Sequence, residues 1–452
     1  MVFDTGVSAA GSRQRFVCKS VGATTNVPII DIVSQIKSLL PEVRDPEGIE
    51  LYDPDSADFL QPRLWHATAP QDAILRLTEK LLEVPEIAAI EGGMMHLTPG
   101  DRVRPVRAER FAQWLLAQSR YRAPDECLNE LLDTIRRNES PITEIVPIWG
   151  ISPKSSFDLG NGLMVVPVGD LPRSPLKDLL MGKRRHQFSF DIANSFARPG
   201  AAMIRETKDG PLYVKPAEMF KPPEKPRQTN SIASRAQEIA EVIALLTPKP
   251  IFVLGHWYQR PENTPLLGHI GQYAGPSKNR PFCFPIEPQD YLTAAIASLV
   301  GQYESLSSDV RKRLRTPLAR LNQSRRHLQY DTVEDAALDL GIAAEALLTQ
   351  DRDQDAPISY TLRMRGTLML GGTPEERREN YAKLRDLYSL RSRVAHEGSI
   401  VDDPRSASTK ARDELAKARE RCKSGQSVCA ELIREVIRRG SFPDWDQLVF
   451  GW

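Results

Sequence analysis

The stretch Tyr381-Ala-Lys-Leu-Arg-Asp-Leu-Tyr388-Ser-Leu-Arg391-Ser392-Arg393-Val-Ala-His396-Glu397-Gly398 reads as one amphipathic helix. Tyr381, Leu384, Leu387 and Tyr388 fall three and four residues apart, the repeat that lines up one face of a helix. Arg391 continues that stripe, three residues after Tyr388 and seven after Leu384. A guanidinium on an apolar face needs an anion or an acid to satisfy its donors. His396 follows five residues later, about 140° further round an ideal helix, so the two side chains do not stack within one unbroken helix. Gly398 is a natural C-cap. The pair converges if the helix ends there, or if a second copy of the chain supplies the other member.

Working outward, Thr373-Pro374-Glu375-Glu376 opens this helix as a capping box, with Thr as N-cap, Pro at the first position and Glu at the third. Asp331 with Glu334 suggests another. Helical periodicity covers about 288–304, 308–328, 331–350, 357–370, 374–396 and 407–439. Long helices with short connections imply an antiparallel bundle. Over 305–440 there are 26 Lys and Arg against 21 Asp and Glu, so the basic excess sits on the bundle and points to an anionic partner there.

Towards the N-terminus the pattern changes twice. Residues 141–287 are proline-rich, with short apolar runs at Leu163–Val168 and Pro250–Leu254, a turn signal at Asn161-Gly162 and one helix over Ser231–Leu246; they read as a mixed domain with a modest sheet. Lys221–Arg227 reads as an exposed linker. Residues 1–140 read as a mainly helical α+β region, with amphipathic runs near 31–40, 72–84, 108–119 and 124–137 and a loose first 25 residues. The fold class is then multidomain α+β, in which a C-terminal antiparallel helical bundle over 288–452 follows a mixed α/β N-terminal region.

Composition narrows the function. The 452 residues carry 60 Lys and Arg against 59 Asp and Glu, a net charge of +1, so a nucleic-acid site must be a local patch. The five Cys (18, 127, 283, 422 and 429) make neither a disulfide framework nor a metal-finger spacing, and read as free thiols. No signal peptide and no apolar run of spanning length is present, so a cytoplasmic location without membrane contact is expected. Neither common phosphate-binding glycine loop occurs. Asp351, Asp353 and Asp355 hint at a calcium loop, but Ala356 and Leu362 stand where Gly and Glu are needed. No metal and no cofactor are expected. His256, after an apolar run, has no nucleophile motif beside it and reads as a packing residue. Lys183–His186 and the face carrying Arg311, Lys312, Arg313, Arg315, Arg320, Arg325 and Arg326 are solvated charge or phosphate contacts.

Arginine and histidine together can break RNA without a metal. Histidine takes the proton from a ribose 2′-OH or protonates the leaving oxygen. Arginine stabilises charge growing on the phosphate. Arg391-x4-His396, preceded by Leu387-Tyr388-Ser389-Leu390, resembles the Arg-x4-6-His signature of the HEPN superfamily. Ala319–Ser324, Asp335–Leu348, Ser359–Arg363 and Leu370-Gly371 resemble the other helices of its ApeA-like subgroup, so the likeness spans about 305–440. It implies a bundle of four or five helices that pairs as a homodimer or higher homo-oligomer. It also implies a metal-independent endoribonuclease leaving 2′,3′-cyclic phosphate ends, of a kind associated with bacterial antiviral defence. On this reading Arg391, His396 and Ser392 are catalytic, while Arg393, Arg325 and Arg326 bind RNA. Ser392 stands where active members usually carry Asn, Asp or His, and Glu397 where Gly is common. The alternative is a non-catalytic HEPN module binding RNA, a nucleotide or a partner protein, with Arg391 satisfied by an acid such as Asp339 or Glu345.

Overall fold

The computed structural model describes residues 26–43, 69–96, 103–172, 174, 177, 199–219, 231–247, 249–261, 264–265, 286–350, 357–401 and 408–450. The sequence readings for residues 1–25, 183–186, 221–227 and 351–355, and for Cys18 and Cys283, lie outside these.

The first unit packs α1 (Asn26–Leu39), α2 (Gln71–Leu82), α3 (Pro85–Ala88), α4 (Ala108–Gln118) and α5 (Pro124–Arg137) around Leu77, Phe111, Trp114, Leu115 and Leu131. α5 shows why these elements form. Pro124 opens it, Asp125 and Glu126 occupy its first turn and Arg136 and Arg137 its last, each charge opposing the helix dipole. Asn138 ends it in the left-handed region, at φ 53°. The Asn138 side chain then accepts from the Leu212 and Tyr213 amides (2.8 and 2.6 Å) and donates to the Tyr213 carbonyl (3.0 Å). These bonds hold β7 (Tyr213–Val214) beside β1 (Met94–His96), which also pairs with β2 (Val103–Pro105). Leu212 and Tyr213 are buried in this first core although they lie beyond residue 140.

The second unit is an antiparallel sheet in the order β4 (Phe157–Gly160), β5 (Leu163–Pro167), β6 (Ala201–Asp209), β3 (Ser140–Trp149) and β8 (Phe252–Val253), with β9 (Trp257–Gln259) further along β3. Asn161 and Gly162 turn the β4–β5 hairpin with φ of 54° and 72°, as their sequence signals. The expected helix over 231–246 is instead a 3-10 turn (Ile232–Ser234) followed by α6 (Ala236–Ala244). Buried Glu144 of β3 explains the break: it accepts from the Ile232 and Ala233 amides (2.9 and 3.1 Å) and faces Arg205 at 3.2 Å, pulling the turn onto the sheet.

The third unit is the helical region: α7 (Thr293–Ser305), α8 (Ser308–Gln329), α9 (Val333–Leu348), α10 (Ile358–Leu370), α11 (Pro374–Glu397), α12 (Thr409–Arg439) and α13 (Trp445–Phe450). The Thr373–Glu376 capping box is formed in both directions, and Gly398 closes α11 at φ 74°. Asp331 does not cap α9. Its φ of 63° is wrong for an N-cap, Thr332 takes that place, and Asp331 pairs with Arg419.

One apolar core runs from Val146, Val165 and Met203 of the sheet, through Ile239 and Ile243 of α6, to Leu314, Leu340, Leu384 and Ile433 of the helical region. The boundary drawn at 287 therefore crosses a continuous core: sheet and helices pack as one body. Among the described residues no helix is long and apolar enough to cross a membrane.

Candidate functional site

α10 and α11 form an antiparallel helical hairpin whose outer surface holds a groove of about 490 Å3. That lies within the ordinary range of ligand sites, about 300–1,000 Å3. Arg385, Ser389, Ser392, Arg393 and His396 line it from α11, at the three- and four-residue steps of one helix face. Ser359 and Arg363 of α10 complete the far wall, and Tyr388 supplies a half-buried ring that also packs on the core. His396 is exposed in the last turn of α11, two residues before the Gly398 cap. Arg393 donates to Glu397 at 2.9 Å, across one turn. The Arg363 guanidinium lies over the Tyr381 ring, 5.2 Å from its centroid, and its Nε donates to the Ser359 carbonyl at 2.8 Å. Arg385 donates to Asp386 beside it, at 3.0 Å.

Three guanidiniums, three serine hydroxyls, the Tyr388 phenol and one imidazole thus share an open surface, with Glu397 as the carboxylate in its lining. Such a surface suits phosphate oxygens, with guanidiniums to carry the charge and hydroxyls to donate in addition.

Arg391 is not among these residues. Its stem lies against Gly341 of α9, and Nε sits 3.2 Å from Oε1 of Glu345. Nη2 donates a long bond, 3.4 Å, to Oε2. Glu345, one of the two acids anticipated, is thus the partner. Asp339 instead takes Arg320 at 2.7 Å and lies 3.5 Å from His327. Arg391 retains 27% side-chain exposure, so the pair is shielded without being sealed.

The two remaining arginines assigned to RNA sit elsewhere. Arg325 is 8% exposed and donates to the carbonyls of Ala244 and Thr247 (3.1 Å to the latter) at the C-terminal end of α6. Burial, and then the nearby Arg434 charge, lower its pKa to about 10. It lines a different cavity from the groove around His396. Arg326 lies 5.8 Å from the Phe252 ring and 5.6 Å from that of Tyr330, and bonds Gln323 at 3.2 Å. The wider basic face is similarly occupied: Arg315 pairs with Glu238, and Arg313 lies over Phe442.

Other candidates reduce to packing. His256 meets Tyr258 edge to face at 6.1 Å. Cys422 and Cys429 are buried thiols pushed up to about 12, too high to serve as nucleophiles near neutral pH. Among the described residues, no three His, Cys, Asp or Glu side chains group so as to hold a metal ion.

Of the residues the sequence reading assigned to a site, Ser392, Arg393 and His396 line the groove; Ser359, Arg363, Arg385 and Ser389 line it too and were not among them. A signal for the α11 members was present: stepping back from His396 by three or four gives 393, 392, 389 and 385. Ser359 and Arg363 depend on which face of α10 meets α11, which spacing within one helix does not specify. In comparisons with known proteins, no family model, no curated protein and no solved structure matches the chain.

Proposed function

We propose that the chain is a metal-independent endoribonuclease of HEPN type that works in the α10–α11 groove, in the cytoplasm, as a homodimer or higher homo-oligomer. The observation that carries this reading is the exposed His396 imidazole at one end of a groove lined by Arg363, Arg385 and Arg393. RNA is gripped through phosphates by these arginines and through hydrogen bonds by Ser359, Ser389 and Ser392. His396 takes the proton from a ribose 2′-OH; the 2′ oxygen attacks the adjacent phosphorus and the bond to the 5′ oxygen breaks. The departing 5′ oxygen takes up a proton, so the products are a 2′,3′-cyclic phosphate and a 5′ hydroxyl. The guanidiniums offset the charge that grows on the phosphate. Pairing of two bundles brings Arg391 of a second copy towards the groove. Destruction of RNA in an infected cell, as a toxin-like antiviral effector, is the role that fits the resemblance.

The Arg391–Glu345 pair favours a second reading, a non-catalytic module in which the groove binds RNA without cutting it. Incubating the purified chain with total RNA in EDTA, followed by end-group analysis, separates the two. The nuclease reading expects cyclic-phosphate ends that vanish with His396→Ala, which melts like the parent, and that fall at least tenfold with Arg391→Ala measured below its own melting transition. Cleavage that survives His396→Ala, or that needs a divalent metal, overturns it. Binding without cleavage leaves the non-catalytic module.

A further inference from the structure

A second cavity, of about 500 Å3, shares no residue with the groove around His396. One wall is a stripe of α12 bearing Arg419, Lys423 and Arg434; the other is α8 with Arg325. Lys423 and Arg434 are separated by about 16 Å of helix rise. Four cations line this cavity and no carboxylate does.

The acids that pair with three of these cations stand outside. Asp331 meets Arg419, Glu420 meets Lys423 and Glu431 meets Arg434, and the three carboxylates are 80%, 69% and 53% exposed. Ion pairs so exposed are weak and exchange readily for a better-placed anion. Arg325, at the inner wall, donates to the backbone carbonyls of Ala244 and Thr247. Its charge is buried close to that of Arg434; burial first, and then the Arg434 charge, lower its pKa to about 10. An anion inside the cavity would relieve both guanidiniums at once.

The rest of the lining selects the kind of anion. No aromatic ring is present to stack bases of a nucleic-acid strand. Leu245, Leu328 and Ala430 make only a small apolar floor, and Gln329, Gln426 and Ser427 offer further polar groups. A single carboxylate cannot meet cations spread along about four turns of helix; a chain of phosphoryl groups can meet more of them.

We propose that this cavity is a binding site for a small polyphosphorylated ligand, with its phosphates across Arg419, Lys423 and Arg434 above Arg325. Inorganic polyphosphate and a nucleoside polyphosphate share this chemistry, and the site is independent of what the groove does.

The test is calorimetric titration of the full chain, at low salt and in EDTA, with tripolyphosphate, ATP, adenosine and an RNA octamer. Tripolyphosphate and ATP should bind, adenosine should not, and high salt should weaken both ligands. Equal affinities identify the phosphates as the whole determinant; tighter ATP adds the base on the apolar floor. Lys423→Ala with Arg434→Ala should weaken binding at least tenfold, and Arg385→Ala with Arg393→Ala should leave it within twofold. Should the first pair melt without cooperativity, Lys423→Ala alone, at a 55% exposed side chain, should still cost threefold or more. Absence of binding by both phosphate ligands, unchanged affinity in the cavity variants, loss in the groove variants, or preference for the RNA octamer would each overturn the proposal.

Discussion

At the scale of single residues, two charged groups, one half-buried and one buried, show what the fold demands. Arg391 was legible as a misfit on an apolar stripe, and its need for an acid was legible with it; Glu345 meets that need from α9. Spacing also put His396 about 140° away on an unbroken helix; it left open whether the helix breaks and which of Asp339 and Glu345 is the partner, and the helix runs unbroken to Glu397. Glu241 is the second. It is 8% exposed on α6, and burial, reinforced by the Glu238 charge and opposed by a bond from Gln237, raises its pKa from 4.5 to about 7. Between those values the folded chain keeps a proton that the unfolded chain has released. Its contribution therefore makes stability fall as pH rises from about 4.5 to about 7, with the full cost present above that. Glu241→Gln should stabilise the chain at pH 8 by an amount on the order of 3 kcal/mol. At pH 4 it should change little. Urea denaturation at the two pH values checks the sign, and equal effects at both would contradict it.

At the scale of elements, helix ends were the most legible feature and helix contacts the least. Thr373, Pro374, Glu376 and Gly398 act through neighbours within one turn, so local sequence carries their message. The approach of α9 to α11 depends instead on a residue that displays nothing in a sequence. Gly341 leaves room for the Arg391 stem: a Cβ there would stand 2.2 Å from Arg391 Cγ and 2.9 Å from Arg391 Cβ. The second contact involves an atom fixed to the backbone, so rotating the side chain does not remove it. Gly341→Ala should cost about 1–3 kcal/mol by overpacking. It should also separate Arg391 from Glu345. A denaturation midpoint equal to that of the parent would show that the two helices yield more easily than this geometry implies.

For the molecule as a whole, the sequence conveyed the order of units but not their fusion. Apolar runs in the sheet and on α8 each announce a buried face, yet nothing local says that the faces are buried against one another. The shared core makes that so, and Leu314, fully buried within it, reports on the arrangement. Leu314→Ala should destabilise by about 2–5 kcal/mol. The excised segment 288–452 should lose the sharp thermal transition of the full chain, because one side of its core is missing. Scanning calorimetry reads both outcomes, and a sharp transition from the excised segment would mean that the helices need no sheet. The first unit, with a core of its own, should melt apart from the rest.

The groove, by contrast, is built entirely between Ser359 and Glu397, on two helices joined through Gly371 and Gly372 at φ of 65° and 90°. Its contour is thus set by a single phase relation between neighbouring cylinders. Extra residues in distant loops would leave that phase alone. One residue added within α10, between Arg363 and the glycines, would rotate Ser359 and Arg363 by about 100° relative to the histidine. The spacing inside this hairpin, rather than any one side chain, would then be what the lineage of the chain has least freedom to alter.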